Sequence, residues 1–346
     1  MAIAGGAAAC GQVASGGTAS RGAPGGASSA STARPTPNGS ASGSLTISYG
    51  GTNAGALPLW LAEQLGYFHG EGLRVTLVDA PWNTHPLTRL DAGTVHFVTI
   101  SMDLLEWDTS CCTAVGKHAN AVYLAAAYAV PVFSVLSANA IPSMAALRGK
   151  KIGVPGELAS AAHYALQTAL AAHGLSLADV TPVNGSDAKT YFQDLQQGTL
   201  QAAVLPPPMS IRSAQKGLRV LADCSVYGKP YPSAWFATDR GFAAKHPTTV
   251  TKVMRAWLRG LQAAQRSPQQ AVTAVSNVGG VGQPHVALAT YRAYAPLLLK
   301  KPYPPLAGVR AALSFLARNY PNDAATLRSV APASFVDTSF LRQVGA

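Results

Sequence analysis

Twice along this chain a short apolar run, a stretch of helical spacing and a second apolar run follow in that order, and this repeated alternation leaves few folds open. Residues 45–49 alternate as a strand, 50–55 form a Gly-rich turn, and 57–65 have the apolar spacing of a helix closed by Gly66. A second strand over 73–78, a short helix over 87–91 and a third strand over 95–100 complete the unit. It recurs as a strand over 151–154, a helix over 160–173 stopped by Gly174, a strand over 180–183, a helix over 189–197 and a strand over 202–205. Strand and helix in regular turn imply an α/β fold built on mainly parallel sheets covered by helices. From His246 the chain reads as helix after helix, with Pro247 at the start of the first.

The segments around these units set limits. Residues 121–141 carry no charge and are long enough to consider as a membrane helix. Pro131, Asn139 and Pro142, with the β-branched and aromatic set Val130, Val132, Phe133 and Val135, point to buried strand instead. Of the 34 residues from 11 to 44, 29 are Gly, Ser, Ala, Thr or Pro, and only Val13 is apolar and larger than Ala. Such a segment cannot offset its ordering entropy and is expected to be a flexible tether with a reach of about 30 Å. Just before it, Ala7-Ala8-Ala9-Cys10 resembles the cleavage box of a bacterial lipoprotein, which implies lipid attachment at Cys10. Residues 1–9 carry no basic flank and are short for a signal core, so a free cysteine in an unstructured N-terminus is the other reading.

A length of 346 residues suits two domains, and 48% hydrophobic against 12% charged residues excludes disorder of the whole chain. Lys and Arg exceed Asp and Glu by 11, spread thinly without a block of five like charges, so no nucleic-acid partner is expected. Without Arg21 and Arg34 the excess is 24 − 15 = 9, which suits anionic solutes or an anionic membrane surface. Four cysteines, Cys10, Cys111, Cys112 and Cys224, are too few and too oddly spaced for a disulfide framework or a metal cluster. Cys111 and Cys112 remain open to a vicinal disulfide, to pairing with Cys224, or to a reduced state.

Three phrases stand in order: Ala62-Glu63-Gln64-Leu65-Gly66-Tyr67-Phe68-His69-Gly70-Glu71-Gly72-Leu73, then Leu90-Asp91-Ala92-Gly93-Thr94-Val95-His96-Phe97, then Leu147-Arg148-Gly149-Lys150-Lys151-Ile152-Gly153-Val154. As an ordered set they resemble the substrate-binding proteins of ABC importers in the nitrate, sulfonate, taurine and thiamine-pyrimidine group (SsuA/THI5-like, NMT1-like). The middle phrase returns at Leu195-Gln196-Gln197-Gly198-Thr199-Leu200-Gln201-Ala202, where that group places an acid and this chain has Gln201. The resemblance implies a type II periplasmic-binding-protein fold: two α/β lobes joined by two crossing strands and closing like a hinge on a ligand. The expected crossings are 132–137 and 233–238. Lobe one is then 45–134 plus 239–346, lobe two 135–238, with 1–10 a lipoprotein-type signal and 11–44 the tether. The implied protein is an extracytoplasmic, lipid-anchored monomer with a small organic ligand, sulfonate- or aminopyrimidine-like. Its partners are the membrane, through the anchor, and a permease with its ATPase. No cofactor or metal is implied.

In parallel sheets ligands sit beyond the C-terminal strand ends, beside helix N-termini. That rule selects Thr52, Asn53 and Ala54; Trp82, Asn83 and Thr84; Ser101, Met102 and Asp103; Gly156, Glu157 and Ser160; and Pro206, Pro207 and Pro208, of which Pro208 is the one carried forward as a contact. Thr52, Thr84, Ser101 and Ser160 lead as polar contacts, since hydroxyls and free N–H groups at helix starts hold anions. Thr52, Ser101 and Ser160 read equally as helix caps. Trp82 offers an aromatic wall for a flat organic ligand, whereas Trp235, inside a crossing strand, reads as partly core. Asp103 and Glu157 would repel nitrate or a sulfonate yet accept from an aminopyrimidine, which turns the reading away from a small inorganic anion. The chain lacks the His-Glu-x-x-His, Gly-x-Ser-x-Gly, Walker and Gly-x-Gly-x-x-Gly patterns, and Ser160 with His163 reads as cap and surface residue, so no enzyme is expected. The alternative is an enzyme on the same scaffold acting on a pyrimidine or a menaquinone precursor.

Overall fold

The computed structural model describes residues 44–50, 54–80, 86–101, 120–138, 140–156 and 158–346. Cys10, all but the last residue of the expected tether, Cys111 and Cys112 lie outside them. The chain forms β1 (Leu45–Tyr49), α1 (Leu57–Gln64), α2 (Tyr67–Gly70), β2 (Val75–Asp79), α3 (Pro86–Asp91), β3 (Phe97–Ile100) and β4 (Ala121–Ala125). Next come β5 (Ser134–Ser137), β6 (Lys151–Gly153), α4 (Ala161–Ala172), β7 (Thr181–Val183), α5 (Ala188–Gln197), β8 (Ala202–Leu205), α6 (Met209–Gln215), β9 (Arg219–Asp223) and β10 (Trp235–Asp239). Helices complete the chain: α7 (Arg240–Lys245), α8 (Pro247–Arg266), α9 (Pro268–Asn277), α10 (Pro284–Tyr294), α11 (Leu306–Asn319), α12 (Ala324–Ser329) and α13 (Ser339–Gln343).

The strands build two five-stranded sheets of one design. The first has the order β2-β1-β3-β10-β4 and the second β7-β6-β8-β5-β9. In each, the fourth strand runs antiparallel to both its neighbours. The three strands before it are parallel. Each fourth strand arrives from the other sheet, β5 after β4 and β10 after β9. Of the two expected crossings, 132–137 ends as β5 of the second sheet, whereas 233–238 ends as β10 of the first. Residues 235–238, expected in lobe two, instead hydrogen-bond between β3 and β4, where Trp235, Phe236 and Ala237 are buried. The uncharged stretch splits into β4 and β5, and no helix among the described residues is long and apolar enough to cross a membrane.

Local signals account for the element ends. Gly66 (φ 67°) and Gly72 (φ 71°) take left-handed conformations that other residues resist, so the chain turns out of α1, through the single turn of α2, and into β2. Ser160 caps α4 by accepting from the His163 backbone N–H (3.3 Å), and Asp187 caps α5 by accepting from Thr190 (2.7 Å). The repeated phrase also has a physical reading. His96, just before β3, accepts the Thr46 N–H at Nδ1 (3.1 Å), and Gln201, just before β8, accepts the Lys151 N–H at Oε1 (3.2 Å). Both side chains satisfy a donor at the start of the neighbouring parallel strand, so the position needs an acceptor rather than an acid.

Two kinds of packing hold the sheets. On one face of the first, α1 lies so close to α8 that a Cβ on Gly260 would stand 2.0 Å from the Pro58 carbonyl oxygen. Trp60 of α1 is fully buried there, edge-on to Tyr49 at 5.7 Å. On the other face an apolar cluster runs from Val98 and Tyr123 through Trp235 and Phe315 of α11 to Tyr164 of α4 and Val135 of the second sheet. Tyr164 stacks on Tyr231 at 4.2 Å, and Phe315 meets both rings edge-on. Trp235, expected to be partly core, is fully buried and donates Nε1–H to the Tyr128 carbonyl (3.0 Å). Each such large side chain contributes about 1.5–3 kcal/mol, so this cluster fixes one side of the junction between the lobes.

Candidate interlobe binding site

On the remaining side the two sheets point strand ends at one another across a cavity of about 450 Å³. The first sheet supplies Ser48, Tyr49 and Gly50 from β1, Asp79 and Ala80 from β2, and Thr99, Ile100 and Ser101 from β3. From the second come Pro155 and Gly156 after β6, Ser160, Ala161 and Ala162 at the start of α4, Asp187, Ala188 and Lys189 at the start of α5, and Pro206, Pro207, Pro208, Met209 and Arg212 after β8. Phe133, Ser233 and Ala234 line it from the segments that lead into β5 and β10.

Ser101, Gly156, Ser160 and Pro208, chosen from the sequence, thus face one space. Ala54 opens a short 3₁₀ turn, Ala54–Ala56, of which Ala56 is the lining residue. Thr52, Asn53, Trp82, Asn83, Thr84, Met102, Asp103 and Glu157 lie outside the described residues. Sequence reasoning missed Tyr49, Asp79, Asp187, Lys189 and Arg212. The loop after β7 satisfies the same strand-end rule and would have given Asp187 and Lys189. Arg212 has no such signal, since it reaches the cavity from the second turn of α6.

The chemistry is that of a polar pocket with small walls. Ser48, Ser101, Ser160 and Ser233 are each at most 9% exposed, so their hydroxyls are screened from bulk water. Ser160 Oγ donates to the Pro155 carbonyl (3.0 Å) while accepting from His163, so its proton goes to a carbonyl and not to an imidazole. Its cap leaves the Ala161 and Ala162 N–H groups, at the positive end of a twelve-residue helix, toward the cavity. Ahead of this turn Ala159 holds φ 67°, and its carbonyl accepts from Tyr231 (3.4 Å) while that of Leu158 accepts from Tyr320 (2.6 Å). Burial, and then the charge of Asp79, push the Tyr49 phenol above its ordinary pKa, keeping it a neutral O–H group at physiological pH. Arg212 Nη2 donates to the Val281 carbonyl (2.8 Å), joining the second lobe to the segment between α9 and α10 that packs in the first-lobe core. Charges of both signs therefore line the cavity. No cluster of three or more His, Cys, Asp or Glu suited to a metal occurs among the described residues. Cys224 is a buried thiol whose pKa burial pushes up to about 12, far from thiolate chemistry.

Two α/β lobes with matching sheets and a cleft at their strand ends define a bilobal binding-protein architecture. The chain belongs to the NMT1/THI5-like family, whose sequence profile matches residues 53–271. The same fold occurs in the periplasmic nitrate-binding protein NrtA of Synechocystis PCC 6803 (13% identity, TM-score 0.71, covering 87% of this chain and 88% of that one). It also occurs in the alkanesulfonate-binding protein SsuA of Xanthomonas axonopodis pv. citri bound to MOPS (20% identity, TM-score 0.64, 87% and 97%). Riboflavin-binding protein RibY of Chloroflexus aurantiacus is 27% identical over 229 residues, 62% of this chain, and the match spans 60% of that protein's length. The expected periplasmic-binding-protein fold and family are both met.

Proposed function

We propose that this protein is an extracytoplasmic solute-binding component of an ABC importer. It captures one small organic molecule, sulfonate- or aminopyrimidine-like, in the interlobe cleft and delivers it to a permease driven by its ATPase. Attachment through a lipid on Cys10, with residues 11–44 as tether, holds the monomer at the membrane. The observation that carries the reading is a cavity of about 450 Å³ onto which hydroxyls from the first sheet converge with the capped first turn of α4 on the second lobe. The names of NrtA, SsuA and RibY support solute capture, and lining charges of both signs favour an organic ligand of mixed polarity over a small inorganic anion.

In this reading the ligand's acidic or acceptor group meets the Ala161 and Ala162 N–H groups and the Ser101 hydroxyl. Ser160, whose proton is held by the Pro155 carbonyl, leaves a lone pair for a donor on the ligand, and Tyr49 and Phe133 flank the apolar part. Arg212, already bonded across the lobes, gains from closure. No residue takes part in bond making or breaking. Calorimetric titration with a panel of sulfonates, aminopyrimidines, flavins and nitrate tests the proposal. One site of micromolar affinity or better is expected, with unfolding stabilised by about 2.7 kcal/mol at a hundredfold excess over Kd. Arg212→Ala is expected to weaken the same ligand at least about tenfold, a loss of about 1.4 kcal/mol. A panel that produces neither heat nor a thermal shift removes the support for solute capture.

A further inference from the structure

The excess of positive charge that reads as thin along the sequence is confined to one part of it. Residues 240–346 hold 13 Lys and Arg against 2 Asp and Glu, whereas residues 1–239 hold 13 of each, so the whole net charge of +11 belongs to the C-terminal helices. The structure gathers part of it into a band. On α8, Lys252, Arg255, Arg259 and Arg266 are spaced by three, four and seven residues and share one face of a helix about 30 Å long. Arg255, Arg259 and Arg266 are exposed and Lys252 is half-buried. At the far end, Gln265 donates to the Leu299 carbonyl (2.8 Å), which ties the chain just ahead of the exposed pair Lys300 and Lys301 to the last turns of α8. At the near end, Thr251 bonds Gln343 of α13 (2.9 Å), which brings in exposed Arg342. One acid meets this band directly, Glu71, whose carboxylate pairs with Arg255 at 2.6 Å. Arg259 stacks over Tyr67 at 4.0 Å to the ring centroid, so its charge remains at the surface.

We infer that this band is a docking surface for an anionic phospholipid bilayer. Protein interfaces anchor on exposed apolar or aromatic side chains in a packed centre. The exposed large apolar residues among the described ones, Leu158, Val220, Val226 and Leu306, are all outside the band. A long cationic helix face without an apolar anchor matches a diffuse sheet of negative headgroups, to which each Lys or Arg contributes independently. The band includes no residue lining the interlobe cavity.

The test is co-sedimentation of the full chain carrying Cys10→Ala, which removes any acyl anchor, with vesicles of phosphatidylglycerol mixed into phosphatidylcholine and with pure phosphatidylcholine. Binding to the mixed vesicles alone is expected at about 0.1 M salt, where the Debye length is ~10 Å, and its loss is expected at about 1 M, where it is ~3 Å. Reversing the exposed cluster with Arg266→Glu, Lys300→Glu and Lys301→Glu should lower the partition coefficient at least about tenfold, since each cation near such a surface is worth roughly a factor of five. Lys216→Glu, Arg219→Glu and Lys229→Glu alter net charge equally outside the band and should leave partition within about twofold. Near-UV circular dichroism verifies the fold of both triples, and the salt titration on the unreversed chain reads the interaction without any band substitution. Absence of binding to the mixed vesicles, or equal losses in the two triples, overturns the inference. Retention on polyglutamate without vesicle binding also overturns it, in favour of an acidic protein.

Discussion

The two sheets have the same strand order, with the fourth strand reversed in each, yet they are held by different contacts. Behind the first, α1 and α8 meet backbone to backbone at Pro58 and Gly260, over a core containing Trp60 and Trp257. In the second, the close approach is made by side chains: a Cβ on Gly153 would stand 2.7 Å from the Tyr191 ring and 2.8 Å from Leu200 Cδ1. Repetition of a topology thus requires strand-edge geometry and a satisfied donor at each strand start, not a repeated core. It also implies that the first lobe tolerates less change than the second.

The largest expected effect tests that asymmetry. Gly260→Ala forces a methyl into a carbonyl fixed in another helix and should cost more than about 3 kcal/mol. Gly153→Ala meets an aromatic ring and a leucine methyl that can shift, and should cost about 1–3 kcal/mol. Urea unfolding of both variants measures the difference, and equal losses would remove the distinction between the two kinds of packing.

A smaller effect separates the two acceptors. Burial, with His246 adding repulsion, holds the His96 pKa below 6.5, and only the neutral ring accepts at Nδ1. A pKa lowered by folding contributes stability that is complete above the unfolded value near 6.5 and lost as the pH falls through the lowered folded value. The groups lining the adjacent cavity of about 240 Å³, Asp91, Asp239, Lys245 and His246, surround the ring. His96→Gln copies the arrangement at Gln201 and should flatten this acid limb by an amount on the order of one hydrogen bond, about 1 kcal/mol. Denaturation midpoints across the acid range provide the reading, and an unchanged limb would assign it to other groups.

The smallest effect concerns Ala159. At φ 67° an alanine bears strain of about 1 kcal/mol that glycine escapes, offset in part by glycine's greater freedom in the unfolded chain. Ala159→Gly is therefore expected to raise stability by roughly 0.5 kcal/mol or leave it level. A loss above about 1 kcal/mol would mean that the buried alanine methyl packs more tightly than its conformation costs.

Much of this architecture was legible because its signals are local. Gly66, Gly174 and Gly198 mark helix ends, Ser160 and Pro247 mark starts, and the short apolar runs became strands within one or two residues of their expected bounds. Among the described site residues, the strand-end rule reached Ser101, Gly156, Ser160 and Pro208 because it depends on position along the chain alone. Arg212 and Tyr49 escaped it: one enters from inside a helix, and the other points in from the last position of a strand that reads as core. The membership of β10 in the first sheet was hidden for a related reason. Pairing between β3 and β4 joins residues more than a hundred positions apart, and an uncharged run fits the centre of either sheet equally well. Band formation on α8 likewise needed the loop at Lys300 and helix α13 to be placed beside it.

Native mass spectrometry of the protein purified from its own cells, run beside an Ala162→Trp variant that fills the cavity at the start of α4, tests solute capture most directly. The account predicts one small organic molecule retained per chain in the unaltered protein and none in the filled variant. Retention by both to the same extent, or by neither, would contradict it.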